Sequence, residues 1–125
     1  RLQFFEKDCI DTMMYDNGKK YELYQSLNTL RENNAALWSP ELGAPMVRLE
    51  TGNDNIFACV RQKECKKCGS NTVIAIMNMS SEEQEFTLQL GDLAGTYNRM
   101  CGHEIELSDA QPINIQPWHW MIVSK

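Results

Sequence analysis

The sequence has no excess of basic charge, and this absence excludes one large class of partners. Its 12 Lys and Arg residues stand against 17 Asp and Glu residues, which leaves a formal net charge of -5 at pH 7. A protein that holds nucleic acid neutralises phosphates with clustered basic side chains. The densest basic segment, 63–67, is interrupted by Glu64 and Cys65. We therefore expect no nucleic acid partner.

Long hydrophobic runs are also absent. No apolar stretch approaches the roughly 20 residues that a membrane-spanning helix needs. The first eight residues, RLQFFEKD, lack the layout of a signal peptide, and the chain begins with Arg1 rather than Met. We expect no membrane contact, and we interpret the chain as part of a longer polypeptide or as a mature product.

The cysteines do not form the pattern of a disulfide framework. There are five, at positions 9, 59, 65, 68 and 101, so at least one thiol has no partner within the chain. Small secreted domains that depend on disulfides have an even, regularly spaced set. The odd number favours a bacterial cytoplasm or periplasm that tolerates free cysteine. Cys59 lies in the apolar run IFACV, which is typical of a buried, inert thiol.

One cysteine pair has the spacing of a metal site. Two thiolates two residues apart, as in Cys65 and Cys68, can share a zinc ion. The neighbourhood supplies no second such pair and no nearby pair of histidines. A hairpin loop that turns at Gly69 is the favoured interpretation, so we predict no metal and no cofactor. A zinc or redox site in an interaction protein stays open as an alternative.

The segment YELYQSLNTLRENNAAL, residues 21–37, is the only strong helix signal. Its apolar and aromatic side chains recur every three residues, at Tyr21, Tyr24, Leu27 and Leu30, as on one face of an amphipathic helix. The helix either lies across an end of the domain or belongs to a neighbouring domain.

From Met46 onward the pattern changes to short runs of β-branched and aromatic residues between turns. The run 71–79 is apolar nearly throughout, which predicts a central strand buried on both faces. In the run 85–90, Phe86, Leu88 and Leu90 alternate onto one face. The predicted strands are 46–50, 56–61, 71–79, 85–90, 95–100, 104–107, 112–115 and 118–123. The fold class is therefore mainly β, an antiparallel Greek-key-like sandwich of about eight strands preceded by one α-helix.

Aromatic side chains are the candidates for a binding site, because sugars stack their C–H faces on flat rings. In an extended strand, Trp118 and Trp120 lie on one face and His119 on the other, so the two rings line up along a glucan. The alternative is that the tryptophans close the end of the core or form a domain interface. Trp38, just beyond the helix, is predicted to be a wedge between the helix and the sandwich.

No catalytic group emerges from the polar residues. The acidic residues Asp8, Asp11, Asp54, Glu82 and Glu83 lie on segments that look solvated. Asn78 matches a glycosylation sequon, but it closes an apolar strand, so we expect its side chain to bond locally.

The order of these features resembles the C-terminal end of α-amylase family glycoside hydrolases. The segments that carry the resemblance are LNTLRENNAAL, NDNIFACVR, TVIAIMNMSSE, GTYNRMCG and a last strand entered through Pro117 and Trp118. In that family, a phrase similar to LRENNAAL lies on the last helix of the catalytic barrel, and a small antiparallel sandwich follows.

The resemblance implies two parts, 1–42 with the end of a catalytic barrel and 43–125 as the C-terminal sandwich. Tyr21, Tyr24, Leu27 and Leu30 would then pack on the barrel of the same polypeptide. The family's catalytic acids lie before Arg1, so the resemblance assigns no catalytic residue here. It implies a non-catalytic domain that stabilises an enzyme acting on α-glucans such as starch. The alternative is an autonomous starch- or maltooligosaccharide-binding module with an α-glucan ligand at Trp118 and Trp120.

Overall fold

The computed structural model describes residues 19–39, 41–67, 69–100 and 102–125, without the side chain of Cys65. One α-helix precedes eight strands: α1 (Lys19–Asn33), β1 (Val47–Leu49), β2 (Ile56–Cys65), β3 (Gly69–Asn78), β4 (Gln84–Phe86), β5 (Gly95–Arg99), β6 (Glu104–Leu107), β7 (Ile113–Ile115) and β8 (Trp120–Ser124). Two 3-10 turns, Ala35–Leu37 and Gly91–Leu93, complete the described elements. The prediction of a mainly β chain with eight strands and one α-helix is confirmed.

The strands form two antiparallel sheets. The large sheet has the order β1-β2-β3-β8-β5-β6, and β4 pairs with β7 in a small sheet. Strand β3 is central, as predicted, because β2 pairs along its whole length and β8 along its second half. This arrangement is that of a β-sandwich with one broad and one narrow layer.

The main core lies between the two sheets. Alternation along β3 directs Ile74 and Ile76 inward, and both are fully buried. They meet Phe86, Leu88 and Ile115 from the small sheet and its continuation. The opposite side of β3 differs from the prediction, because Ala75 and Met77 are only half-buried. We call the side of the large sheet that carries Ala75 and Met77 the outer face.

Strand β4 is shorter than the strand predicted over residues 85–90. The alternation of Phe86, Leu88 and Leu90 is confirmed, since all three are buried, but the strand ladder ends at Phe86. Its only partner in the sheet, β7, is three residues long. The Asp109 carboxylate accepts hydrogen bonds from the backbone N–H groups of Leu90 (2.5 Å) and Gly91 (2.9 Å), which turns the chain into a 3-10 segment. These two bonds lower the pKa of Asp109.

Helix α1 ends at Asn33, although the pattern predicts helix to residue 37. Asn34 Nδ2 donates to the Leu30 carbonyl (2.7 Å), and Asn71 Nδ2 donates to Asn34 Oδ1 (2.9 Å). Asn71 Oδ1 in turn accepts the backbone N–H of Ala36 (2.9 Å). These bonds across the sheet replace the last helical turn by a 3-10 turn.

The link between helix and sandwich is fixed to the outer face of the large sheet. Ala36 and Ala44 are buried together with Val73 of β3, and Leu37 and Ile122 pack around them. This second cluster is separate from the main core. Helix α1 therefore reaches the sandwich on the side opposite β4 and β7.

Candidate functional site

Helix α1 presents an aromatic surface that the described residues leave uncovered. None of its residues is buried. Tyr21 and Tyr24 are 68% and 65% exposed, whereas Leu27 and Leu30 are half-buried. The predicted stripe is thus divided, because Leu30 lines a space beside the end of the large sheet whereas the two tyrosines face solvent.

The body side of α1 is loosely packed. An open space of about 480 Å³ lies between the helix and the end of the large sheet, with Leu30 on one side and Arg99, Met100 and Ser124 on the other. The tight contacts are instead at the C-terminal end, where Asn34 bonds to Asn71. Among the described residues, the helix is therefore joined to the sandwich by hydrogen bonds at its C-terminal end, and the rest of the helix is separated from the large sheet by the open space.

Two apolar rows cross the outer face of the large sheet. The strand register places Phe57, Met77 and Trp120 in one row and Cys59, Ala75 and Ile122 in the next. Trp120 is 43% exposed, and the other five residues are half-buried. Burial raises the pKa of the Cys59 thiol, so it stays protonated at neutral pH. These rows lie on the same side of the sheet as the link to α1.

Trp118 lies in a turn, and the prediction of an extended strand from residue 118 is wrong. Strand β8 begins at Trp120, and Trp118 has φ 57°, a left-handed conformation that is uncommon for a bulky residue. The Trp118 N–H donates to the Ser80 carbonyl (3.1 Å), and His119 N–H donates to the Gln116 carbonyl (3.1 Å). Strand alternation therefore does not align the rings of Trp118 and Trp120.

Neither of these tryptophans closes the core, since Trp118 is 64% and Trp120 43% exposed. The core is closed by smaller aliphatic side chains and by Tyr97, which is fully buried. The Tyr97 hydroxyl donates to the Leu93 carbonyl (2.5 Å). Sequence alone does not separate a buried from an exposed tryptophan at the end of a strand.

Trp38 connects the helix to the sandwich, as predicted. Its indole N–H donates to the Arg31 carbonyl of α1 (3.1 Å), and the Lys63 ammonium of β2 lies 5.8 Å from the ring centroid. Arg61 donates from Nη2 to the Trp38 carbonyl (3.1 Å). A Cβ at Gly43 would be 2.3 Å from that carbonyl oxygen, so only glycine fits there.

Asn78 is a structural residue, which confirms the prediction of local bonding. Its side chain is 2% exposed, and Nδ2 donates to the carbonyls of Glu82 (2.8 Å), Ile115 (3.0 Å) and Gln116 (3.1 Å). Its Oδ1 accepts from both the backbone N–H and the hydroxyl of Ser80. The amide is fully engaged and joins the large sheet to the end of β7.

The acidic residues do not assemble into a catalytic pair among the described positions. Asp54, Glu82 and Glu83 are exposed, and Asp8 and Asp11 lie outside the described residues. Within the described ranges, no group of three or more His, Cys, Asp or Glu residues has a geometry that could hold a metal ion. Cys68 and the side chain of Cys65 lie outside the description, so the zinc alternative stays a prediction.

Within the described residues, no helix combines the length and the apolar character needed to cross a membrane.

Comparison with known proteins identifies a structural match. No protein-family profile and no curated protein sequence matches the chain. Among solved structures, the chain is similar to a MutB point mutant whose crystals were soaked with trehalulose. MutB is an α-amylase family enzyme. The TM-score is 0.59 at 20% sequence identity, and the match covers 84% of this chain but only 18% of MutB. At this identity the match establishes a common fold.

Proposed function

We propose that this chain is the non-catalytic C-terminal part of an α-amylase-like enzyme and that it packs against the enzyme's catalytic barrel and stabilises it. The observation that carries the proposal is the uncovered face of α1. Tyr21 and Tyr24 are about two-thirds exposed on a helix without a buried residue. Exposed aromatic side chains on an ordered helix are typical of a surface that packs against another domain or another protein.

The outer face of the large sheet supports the same arrangement. Its rows of half-buried side chains, which include Phe57, Met77 and Trp120, lie on the side to which the link from α1 is attached. A barrel that covers Tyr21 and Tyr24 can extend over part of this face. Covering the two surfaces together removes more apolar area from water than covering either alone, and the gain is about 25 cal/mol per Å².

The fold match supports the idea of a longer parent protein. The chain aligns with a small part of MutB, so the same fold occurs within a much longer chain of the α-amylase family. By this proposal, residues 1–42 belong with the barrel, residues 43–125 form the C-terminal sandwich, and the parent enzyme hydrolyses or rearranges α-glucans such as starch.

The experiment compares variants of the intact polypeptide that carries this chain. The double variant Tyr21→Ser, Tyr24→Ser removes the aromatic surface of α1, and Val47→Ser is the control because Val47 is also an exposed apolar residue but lies on β1, outside the outer-face rows. Residual α-glucan activity is measured after heating. We expect the double variant to lose activity at a lower temperature than the control, with equal activity before heating.

Two results would contradict the proposal. One is equal heat resistance of the double variant and the control. The other is an intact polypeptide in which no barrel precedes Arg1.

A second candidate function is an autonomous starch- or maltooligosaccharide-binding module. The observation that favours it is Trp118, whose ring is 64% exposed on a backbone with φ 57°. A strained conformation at a bulky residue points to a role beyond packing. Titration with maltohexaose, followed by tryptophan fluorescence and heat, tests this. Saturable binding that is lost in Trp118→Ala and kept in Trp120→Ala supports the module, and its survival in Trp118→Ala rejects this site.

A further inference from the structure

A depression lies between the segment that follows helix α1 and the hairpin of β2 and β3. Ala35 and Trp38 line it from the segment, and Lys63, Ser70 and Asn71 line it from the two strands. We call this space the hairpin depression. Its volume is about 360 Å³, within the range of small-molecule sites, about 300–1,000 Å³, and clefts between two packed units are common ligand sites. The hairpin depression therefore has the size and the position of a ligand site.

The hairpin depression is separate from the aromatic surface of α1. Tyr21 and Tyr24 line a different depression, and none of the described residues lines both. Glu32 lines the depression of the tyrosines and a further one beside Trp38, but it does not line the hairpin depression. A ligand in the hairpin depression and a barrel on the tyrosines therefore use different residues.

Trp38 is held in place before any ligand arrives. Its indole N–H donates to the Arg31 carbonyl, its backbone N–H donates to the Ala35 carbonyl (3.2 Å), and its own carbonyl accepts from Arg61. The side chain is nevertheless 42% exposed. A ring that is already fixed loses little conformational entropy when a ligand stacks on it.

Lys63 is the one charged side chain among the described residues that line the hairpin depression. Its ammonium group lies 5.8 Å from the centroid of the Trp38 ring. The group donates to the Leu42 carbonyl and keeps two more hydrogens for other acceptors. A cleft whose charge has one sign attracts ligands of the opposite sign, so the hairpin depression favours an anion.

Two neutral side chains add hydrogen-bond donors to the wall. Asn33 and Ser70 line the hairpin depression with an amide and a hydroxyl group, and both residues are exposed. Amide and hydroxyl groups donate hydrogen bonds to carboxylate oxygens. Asn71 also lines the depression, but its amide already bonds to Asn34 and Ala36. We therefore assign Asn71 to structure, and Asn33 and Ser70 to the wall that a ligand can contact.

The fixed ring of Trp38 and the ammonium group of Lys63 together suit a ligand with a flat apolar body and one negative charge. A dianion would leave one of its charges without a cationic partner in the described wall. We propose that the hairpin depression binds a small aromatic monocarboxylate, whose ring stacks on Trp38 and whose carboxylate pairs with Lys63. Asn33 and Ser70 supply further donors for the carboxylate oxygens.

The experiment is isothermal titration calorimetry of the intact polypeptide that carries this chain. The probes are cinnamate, its neutral amide cinnamamide, and acetate, which has the charge without the ring. We expect saturable binding of cinnamate and at least about tenfold weaker binding of the other two, because each lacks one of the two contacts. No saturable binding of cinnamate up to about 5 mM overturns the proposal. Equal affinity for cinnamamide overturns the pairing with Lys63, and equal affinity for acetate overturns the stacking on Trp38.

A pair of lysine variants shows whether the ligand binds in the hairpin depression. Lys63→Gln should weaken cinnamate binding about tenfold, because it removes the charge that pairs with the carboxylate. Lys66→Gln is the matched control, since Lys66 is an exposed lysine in the turn between β2 and β3 that does not line the depression. Equal affinity in the two variants overturns the assignment of Lys63.

Trp38→Leu tests the stacking surface. It removes the aromatic ring and should weaken cinnamate binding at least about tenfold, to the level of acetate. Cinnamate affinity that is unchanged in Trp38→Leu overturns the site. If Trp38→Leu does not fold, the comparison of Lys63→Gln with Lys66→Gln decides the proposal by itself.

Discussion

The sandwich has a buried core, whereas helix α1 has no buried residue. In the sandwich, both layers contribute buried side chains to one core, and Ile74, Ile76, Tyr97 and Val123 are fully buried. In α1, none of the 15 residues is buried. A helix of this length is marginal in water without tertiary packing. The sandwich therefore has a core of its own, whereas α1 is held at its C-terminal end.

The two faces of the large sheet also differ in how well they are buried. The inner face is covered by β4, β7 and their flanking segments, and among the described residues the cluster that covers the outer face is the one of Ala36 and Ala44 on Val73. The same strands thus have one face with buried side chains and one face with half-buried side chains. The following predictions test this contrast, from the largest expected effect to the smallest.

Ile76→Ala should cost about 2–5 kcal/mol of unfolding free energy, because a fully buried side chain is replaced by a cavity. Met77→Ala, the next residue on β3 but on the outer face, should cost clearly less, since Met77 is already half-exposed. Urea unfolding of both variants measures the difference. Equal losses would mean that the outer face is packed as tightly as the core.

Asn78→Ala should lower the unfolding free energy by about 3 kcal/mol, because it leaves the carbonyls of Glu82, Ile115 and Gln116 without their donor. The control is Asn98→Ala on β5, where the side chain is exposed. Urea midpoints of the two variants are compared with the parent chain. A midpoint for Asn78→Ala within error of the control would show that Asn78 does not join the two sheets.

Asp109 should make a smaller contribution that depends on pH. Hydrogen bonds from Gly91 and Leu90 lower its pKa in the folded chain, so its stabilisation is complete above the pKa of an unfolded aspartate, about 3.9. The stabilisation is lost as the pH falls through the lowered folded value. Asp109→Asn should therefore be less stable than the parent at pH 6, and the difference should shrink at pH 3. A difference that does not change with pH, measured by urea unfolding, would contradict this.

Leu27→Asp should have the smallest effect on the sandwich. Leu27 is half-buried on a helix attached mainly through its last turn, so we expect less than about 1 kcal/mol in global unfolding. The far-ultraviolet dichroism should show partial loss of helix while the thermal midpoint of the β signal stays the same. A large drop of that midpoint would show that α1 is part of the sandwich core and would remove the contrast drawn above.

Most strands were predictable because their signals are local. Alternation and β-branched runs place β1, β3, β5, β6 and β7 close to their observed positions, whereas β2, predicted as 56–61, continues to Cys65. The prediction fails where a partner is too short or a side chain intervenes. β4 ends early because β7, its partner, has only three residues. The helix predicted through residue 37 ends at Asn33 because Asn34 is hydrogen-bonded to Asn71 of β3.

The candidate sites were less predictable than the strands. Sequence predicted a sugar-binding role for Trp118 and Trp120 and a wedge at Trp38, but it could not tell which of these side chains are exposed. The turn at Trp118 depends on the carbonyl of Ser80, and the fixed ring of Trp38 depends on Arg31 and Arg61.

Sequence by itself determined the number of strands, the face on which Phe86, Leu88 and Leu90 are buried, and the presence of helix α1, because these follow from the periodicity of neighbouring residues. Only the tertiary structure decided that Tyr21 and Tyr24 stay exposed while Leu30 lines the space beside the large sheet, and that Asn78 bonds to Ile115 far along the chain. Exposure and long-range hydrogen bonds depend on which distant segments meet, and a local pattern does not contain that information.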